Sequence, residues 1–313
     1  ALSEASATAS GPVSTVSGGT VNDRLTDAFD GYGTVCIDIA SLGTACTTGN
    51  ANFAIYNQTG AAPVTAFSGR GALFPQKTLD GLQVTRSVYA SDTGSFARWI
   101  TTMHNPTGSP ITFMLGTDNN LGSDSLTRIV TSSGGSTSVS TSTKWVTTFQ
   151  NWSGSQTTDP RIGHVLAGNN GRIGVAAIHF ADGDDNPYWS YQLTIPAGAT
   201  QSIATFATLS GFKSQAAATS AALAAGTVPG MWSGLSATEL SQIQNFSAAT
   251  VPGAPIAPSA TAGAEPGSAT VTWSAPATDG GSAITEYIVT ASTGQTCATT
   301  TLTCSFTDLA IDV

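Results

Sequence analysis

The chain has 313 residues, of which 40% are hydrophobic and 9% are charged, and its formal net charge at pH 7 is −9. The hydrophobic share is sufficient for a continuous core, so the composition argues against a disordered chain. The Lys and Arg residues, ten in all, are scattered singly, which leaves no basic stripe for phosphates and argues against nucleic acid as a partner.

Residues 1–20 are small and polar, and we expect them to form an extended lead-in. They contain no basic start followed by an apolar run, which is typical of an exported protein whose signal peptide has been removed. No later stretch approaches the length of a membrane-spanning helix. These features predict a secreted or cell-surface protein without a membrane span.

A large domain is predicted over residues 21–248, where short runs rich in Val, Ile, Thr and aromatic residues alternate with Gly, Asn, Asp, Ser and Pro clusters. The runs predicted as strands are 34–39, 52–56, 82–89, 96–103, 112–116, 126–131, 144–150, 164–166, 174–180, 188–195 and 201–208. Regular spacing of this kind predicts a mainly β fold, with a large antiparallel domain of the β-sandwich type.

Two short helices are predicted near the end of this domain. The first, 213–225, is rich in Ala and is followed by Gly226. The second follows Ser236, which forms a capping box with Glu239 and so satisfies amides of the first helical turn. We interpret the pair as a structural lid that docks on a sheet edge or seals the end of the domain.

The four cysteines form two pairs that are close in sequence. Cys36 with Cys46, and Cys297 with Cys304, are each spaced as a loop or hairpin could bridge, and we predict two local disulfides. Neither pair has the spacing or the companion ligands of a zinc site. Disulfides in turn predict an oxidising compartment.

One loop concentrates carboxylates, an amide and two aromatic rings, and it is the leading candidate for ligand binding. These residues are Asp182, Asp184, Asp185, Asn186, Tyr188 and Trp189. Aromatic rings beside polar loop residues are typical platforms for sugar rings, so a polysaccharide is a candidate partner. Trp145 and Trp152 are further candidates, and the competing interpretation is that all four rings are core residues at strand ends.

The same loop offers hard oxygen donors, which are what Ca²⁺ requires. A second acidic segment, 118–124, is interpreted as a turn that could complete a calcium site. The candidate calcium ligands are Asp118, Asp124, Asp182, Asp184 and Asp185. The spacing lacks the bidentate Glu of an EF-hand, and the alternative is that Asp, Asn and Gly are simply the best turn formers.

No catalytic constellation is apparent. Up to residue 248, the Glu residues are Glu4 near a loose terminus and Glu239 in a helix cap, so nothing selects the paired carboxylates of a glycosidase. A G-x-S-x-G elbow is absent. We interpret His104, His164 and His179 as structural side chains, because none of them belongs to a zinc motif.

Residues 249–258 contain three prolines and predict an extended linker to a small module over 259–313. An alternating run ends at Trp273, a second run contains Tyr287, and two cysteines flank a connection before a run that ends at Leu309. With the Pro-rich entry, these motifs resemble a bacterial fibronectin type III domain. The resemblance implies that Trp273 and Tyr287 are core residues of two strands, and that the module acts as a spacer or adhesion unit.

This resemblance is incomplete, because the last two strands of about 90-residue modules of this type have no counterpart before Val313. Their loss would leave inner faces and strand edges unpaired. Two explanations stay open. Either the chain belongs to a longer protein, or another copy supplies a strand by strand addition, which predicts a homo-oligomer.

Two functions remain in competition. The first is a non-enzymatic surface, matrix or filament protein that acts in adhesion or structural assembly. The alternative is a secreted carbohydrate-binding or carbohydrate-active protein, with which type III modules are often associated. The motif 105–110 and the alternating strand after it resemble the β-rich ectodomains of secreted bacterial proteins, a resemblance that assigns no activity.

Overall fold

The computed structural model describes residues 31–39, 54–56, 62–150, 161–247, 252–277 and 284–310. The chain divides into two units, Ala1–Ser247 and Ala248–Val313. Antiparallel strands build the described parts of both units, and two helices are added in the first. The mainly β fold predicted from the sequence is therefore confirmed.

Each run predicted as a strand overlaps a strand of the first unit, and β3 and β4 are additional. The strands are β1 (Gly31–Asp38), β2 (Ala54–Tyr56), β3 (Val64–Ala66), β4 (Gly71–Leu79), β5 (Leu82–Ala90), β6 (Phe96–His104), β7 (Ile111–Asn120), β8 (Thr127–Ser132), β9 (Trp145–Gln150), β10 (Arg161–Val165), β11 (Ala177–His179), β12 (Tyr188–Ile195) and β13 (Thr200–Ser210). The predicted lead-in, 1–20, lies outside the described residues.

These strands form two sheets that pack face to face. The five-stranded sheet has the order β11-β12-β7-β1-β2, and the eight-stranded sheet has the order β3-β4-β5-β6-β13-β10-β9-β8. One core cluster joins Leu115 and Trp189 of the first sheet to Trp99 and Ile203 of the second. Burial of each such side chain contributes roughly 1.5–3 kcal/mol. The arrangement is a β-sandwich, as predicted.

A second core covers the other face of the eight-stranded sheet. Its cover consists of α1 (Lys213–Ala225), α2 (Ala237–Gln242) and the segments that follow them. Helix α1 ends at Gly226, whose φ of 75° suits glycine, and the capping box of Ser236 and Glu239 begins α2. Both predicted helices are confirmed, but they cover a sheet face instead of an edge or an end.

A buried arginine attaches this cover to the sheet. Arg98 of β6 donates hydrogen bonds to the carbonyl oxygens of Met231 at 2.7 Å and Ser233 at 3.0 Å. Its guanidinium also lies 4.8 Å from the centre of the Tyr89 ring. Burial lowers the pKa of Arg98 to about 10, so the side chain stays charged at neutral pH.

The second unit has strands in two small sheets. The strands are β14 (Ile256–Ala262), β15 (Ala269–Ser274), β16 (Tyr287–Thr290), β17 (Thr296–Thr299) and β18 (Thr303–Phe306). One sheet has the order β14-β15-β18 and the other pairs β16 with β17. Trp273 is buried, and its ring lies 5.4 Å from that of Tyr287. Strand β14 begins at Ile256, inside the range predicted as a linker.

The Cys297–Cys304 disulfide is present and links β17 to β18, as predicted. Cys36 is also disulfide-bonded. Its predicted partner, Cys46, lies outside the described residues. In the parts of the chain that the structure describes, no helix is long and apolar enough to cross a membrane.

Candidate functional site

The five-stranded sheet turns one face to the core and the other away from it. Along β12, Trp189 belongs to the core, and since successive strand side chains alternate, Tyr188 and Ser190 lie on the opposite face. Leu115 of β7 faces the core, so Asp118 and Asn120 also lie on the opposite face. We call this surface the polar face. It is defined by Thr34, Asp118, Asn120, His179, Tyr188 and Ser190.

Four of these residues form a row across four neighbouring strands. His179 of β11 lies opposite Tyr188, and Tyr188 lies opposite Asp118. Asp118 in turn lies opposite Thr34 of β1. Directly opposed Cβ atoms are about 4.5–5.5 Å apart, so the four side chains are continuous neighbours.

A histidine and a carboxylate form one end of the row. His179 Nε2 lies 2.7 Å from Asp184 Oδ2, and the two side chains are 39% and 38% exposed. Partial burial acts to raise the pKa of Asp184, but hydrogen bonds from Asn186 and His179 outweigh it and hold the pKa below its ordinary value. The carboxylate is therefore ionised and accepts the Nε2 proton. The imidazole also stacks on Tyr188, with ring centres 5.1 Å apart.

Asp118 lies in the middle of the sheet, and its pKa is shifted in the opposite direction to that of Asp184. Burial raises its pKa to about 7, and its Oδ1 atom is buried without a hydrogen-bond partner among the described residues. Asp118 is therefore partly protonated near neutral pH on the face that carries His179, while Asp184, which is hydrogen-bonded to His179, stays ionised. This is the combination that acid–base chemistry uses.

Two more buried oxygen atoms on the polar face lack hydrogen-bond partners in the part of the chain that the structure describes. Ser190 is only 1% exposed, and its hydroxyl makes no hydrogen bond. Its opposed neighbours, Gly116 and Ala177, have no polar side chain to offer one. Asn120 Oδ1 is also buried and unpartnered. Such groups carry a desolvation cost of about 1–3 kcal/mol each.

Asn119, on the core side of β7, holds the strand ends beneath this face. Its amide donates to the Pro187 carbonyl at 2.9 Å, and its Oδ1 accepts from the Gly33 amide at 2.8 Å. Gly33 has φ of 75° and lies in an irregular stretch of the β1–β7 pairing, a conformation that favours glycine. One side chain thus joins β1, β7 and the segment before β12.

The acidic loop makes hydrogen bonds within itself and to neighbouring segments. Asp182 Oδ1 accepts from the Ile129 amide at 2.8 Å, and the Asp185 carbonyl accepts from the Leu121 amide at 2.7 Å. Asn186 donates from its side chain to Asp185 Oδ1 at 2.6 Å. These bonds attach the loop to β8 and to the residue after β7, which is a structural role.

The structure does not gather the predicted calcium ligands into one site. Among the described residues, no group of three or more His, Cys, Asp or Glu side chains could hold a metal ion. Asp118, expected in a turn, lies inside β7. The side chain of Asp124 lies outside the described residues. Calcium binding stays a prediction that the described contacts do not support.

The structure places the aromatic candidates in different surroundings. Trp189 is fully buried and stacks on Phe180 with ring centres 6.0 Å apart, which fits the competing interpretation of a core residue and leaves no exposed ring for a sugar. Trp145 packs against the second core, and Trp152 lies outside the described residues. Tyr188 is half-buried on the polar face, so part of its ring is exposed for the predicted packing against a sugar.

Sequence reasoning missed His179, Asn120 and Ser190 as members of the site. For His179, a signal existed in the hairpin between β11 and β12. Residues equally distant from a hairpin loop oppose each other, which places His179 across from Tyr188. Ser190 and Asn120 carried no signal, because their importance arises from burial.

No family model matches the chain, and no curated protein matches it. Solved structures that match include a polysaccharide lyase, with 11% identity and a TM-score of 0.38 over 78% of this chain and 31% of the lyase. A protein described as a kojibiose phosphorylase from the human microbiome has 12% identity and a TM-score of 0.38 over 61% and 24%. One described as an aldose 1-epimerase from Klebsiella pneumoniae has 9% identity and a TM-score of 0.30 over 51% and 55%.

The chain thus spans 24–55% of the length of these three proteins. All three names refer to carbohydrates, but at TM-scores below 0.5 the likenesses carry no argument about this chain.

Proposed function

We propose that the protein is a secreted carbohydrate-binding protein that holds a glycan on the polar face. The observation that carries the proposal is the partly exposed group of Tyr188, His179 and Asp184, in which the two rings stack 5.1 Å apart and His179 Nε2 lies 2.7 Å from the Asp184 carboxylate. Sugar hydroxyl groups can donate to such a carboxylate, while the apolar face of a sugar ring packs on an aromatic ring. A site of this kind combines one ring with a few convergent polar groups.

The test is depletion of the purified protein from solution by insoluble polysaccharides. We expect selective, saturable depletion by the wild-type protein and a loss of about tenfold or more in affinity for Tyr188→Ala, since the stacking surface is removed. Gln192→Ala is the matched control, because Gln192 is exposed on the same strand and face. Depletion by no polysaccharide would refute the proposal.

The same incubations, repeated with a calcium chelator, test the calcium prediction. Loss of depletion with chelator would support calcium at the acidic loop. Unchanged depletion would assign the loop carboxylates to the hydrogen bonds described above.

Hydrolysis of the bound glycan is a second candidate, favoured by the contrast between Asp118, whose pKa is raised by burial, and Asp184, which stays ionised beside His179. In that case reducing ends accumulate in the incubations and Asp118→Asn abolishes their release, because the variant cannot donate the proton. Binding without release of reducing ends excludes hydrolysis and leaves the binding proposal intact.

For the second unit we propose a fibronectin type III-like spacer that presents the glycan-binding unit outside the cell. The pairing of β15 with both β14 and β18, and the contact of Trp273 with Tyr287, support this proposal. The disulfide between β17 and β18 supports an oxidising location. An adhesive or assembly role would then follow from glycan binding.

A further inference from the structure

The two ring nitrogens of His179 have different surroundings. Nε2 lies 2.7 Å from Asp184 Oδ2, and an ionised carboxylate can only accept a hydrogen bond. A neutral imidazole therefore carries its proton on Nε2, and Nδ1 is left as an acceptor. Among the described residues nothing donates to Nδ1, and this atom is not buried. The side chain is 39% exposed, so a donor on a ligand can approach Nδ1.

The other oxygen of Asp184 has a backbone donor that fixes the orientation of the carboxylate. Asp184 Oδ1 accepts from the Asn186 backbone amide at 2.9 Å. An amide side chain of the same shape would keep its oxygen on this donor, and its NH₂ group would then face His179 Nε2. Since Nε2 would have to accept, the imidazole proton would move to Nδ1. Asp184→Asn is therefore an isosteric substitution that reverses the hydrogen-bonding direction of both ring nitrogens.

We infer that Asp184 positions the His179 imidazole with its proton on Nε2, so that Nδ1 accepts a hydrogen bond from a hydroxyl group of the bound sugar. This inference rests on the proposed glycan-binding function. Tyr188 stacks on the imidazole with ring centres 5.1 Å apart, which places Nδ1 within reach of a sugar that packs beside these rings. The bond to a charged carboxylate also polarises the imidazole and strengthens Nδ1 as an acceptor.

The first measurement is NMR of the ring nitrogens in the whole protein, which distinguishes the two neutral tautomers from the protonated ring. The chain has three histidines, and the His179 signals are those lost in His179→Ala. At a pH at which the spectra show a neutral ring, we expect the proton on Nε2 in the wild-type protein and on Nδ1 in Asp184→Asn. Asp182→Asn is the matched control, because it removes a charge from the same loop and can still accept from the Ile129 amide. It should leave the proton on Nε2.

The second measurement is the affinity for whichever of cellulose, chitin and insoluble xylan retains the wild-type protein most tightly. We expect His179→Ala and Asp184→Asn each to weaken binding about fivefold, as one hydrogen bond is lost or reversed. Because Asp184 acts in part through His179, the double variant should weaken binding less than the product of the two single effects. Asp182→Asn should change the affinity less than about twofold.

A wild-type proton on Nδ1, or the same tautomer in Asp184→Asn as in the wild-type protein, would overturn the inference and leave the glycan-binding proposal standing. Unchanged affinity of His179→Ala would also overturn it, as would single effects that multiply without coupling. Retention on none of the three polymers would overturn both the inference and the proposed function.

Discussion

His164 is a histidine in the core between the two sheets. It is fully buried, its Nε2 lies 2.9 Å from Thr148 Oγ1, and its ring lies 5.2 Å from that of Phe180. Burial lowers its pKa from 6.5 to about 3. The unfolded chain therefore takes up a proton between pH 6.5 and about 3 that the folded chain refuses, and stability conferred by the neutral imidazole is lost as the pH falls.

We predict that His164→Gln removes the loss of stability that the neutral imidazole causes as the pH falls. The amide keeps a polar partner for Thr148 but does not titrate. The wild-type free energy of unfolding should fall by up to about 1.4 kcal/mol per pH unit more steeply than that of the variant below pH 6.5. Urea unfolding at several pH values measures this. Parallel profiles would show that His164 does not stay neutral, and Gln192→Ala serves as a non-titrating control.

Asn245 shows how burial overrides a local motif. It begins an Asn-Phe-Ser sequon, yet it is 0% exposed. Its side chain donates to the carbonyl oxygens of Leu166 and Ala204 and accepts from the Ala204 amide. The Asn245 side chain thus makes the backbone hydrogen bonds that a neighbouring strand would make to Ala204. Because the side chain is buried, it is not accessible for glycosylation in the folded chain.

At the scale of elements, the contact of α1 with β10 depends on Gly163, which has no side chain. A Cβ atom at Gly163 would lie 2.1 Å from Ser220 Oγ and 2.4 Å from Thr208 Oγ1. Both distances are far below any real contact, so the helix could not lie this close to the sheet over a larger residue. Gly163 therefore sets the helix-to-sheet spacing.

We predict that Gly163→Ala destabilises the protein by about 1–3 kcal/mol through overpacking. Adding Ser220→Ala should recover part of the loss, because the nearer hydroxyl is removed. Thermal or urea unfolding of the single and double variants measures both effects. Gly108→Ala is the control, since a Cβ atom there meets nothing within 4 Å. Strict additivity of the two substitutions would contradict the proposed contact.

The elements predicted from sequence are those whose pattern is local. The capping box of Ser236 is an example, because it needs only residues three apart. Strand β4 was missed because Pro75 interrupts its pattern, and the structure shows an irregular register between Phe74 and Lys77. Proline is tolerated at such bulges, where a ladder hydrogen bond is already lost.

The candidate site was only partly predictable for a related reason. Asp118 lies in a sequence rich in Asn and Gly that favours a turn, but pairing with β1 and β12 extends β7 to Asn120. Tyr188 and Trp189 are adjacent, so period-2 alternation put them on opposite faces. Nothing local says which of the two faces the core. That choice depends on the partner sheet.

At the scale of the whole molecule, His164 and Asp118 have opposite effects on the pH dependence of stability. Burial raises the pKa of Asp118 from 3.8 to about 7, so the folded state holds an extra proton in that window. Stability from this group is fully present below 3.8 and is lost as the pH rises through 7. Stability from His164 is lost in the other direction, so the two effects cancel between pH 3.8 and 6.5.

We predict that Asp118→Asn makes the effect of His164 on the pH dependence of stability measurable. The free energy of unfolding of the variant should rise with pH between 3.8 and 6.5, by up to about 1.4 kcal/mol per pH unit relative to the wild type. The double variant with His164→Gln should return to the wild-type slope. Unfolding in urea across this range measures the slopes, and an unchanged slope in Asp118→Asn would contradict the raised pKa.

The alternation along β12 also separates two kinds of evolutionary constraint. Trp189, Tyr191 and Leu193 pack in the core of the sandwich, while Tyr188 and Ser190 lie on the polar face, outside that core. Every second position can therefore diverge without rearranging the core. If the polar face binds a glycan as proposed, a library randomised at the exposed alternate positions is a direct route to new specificities.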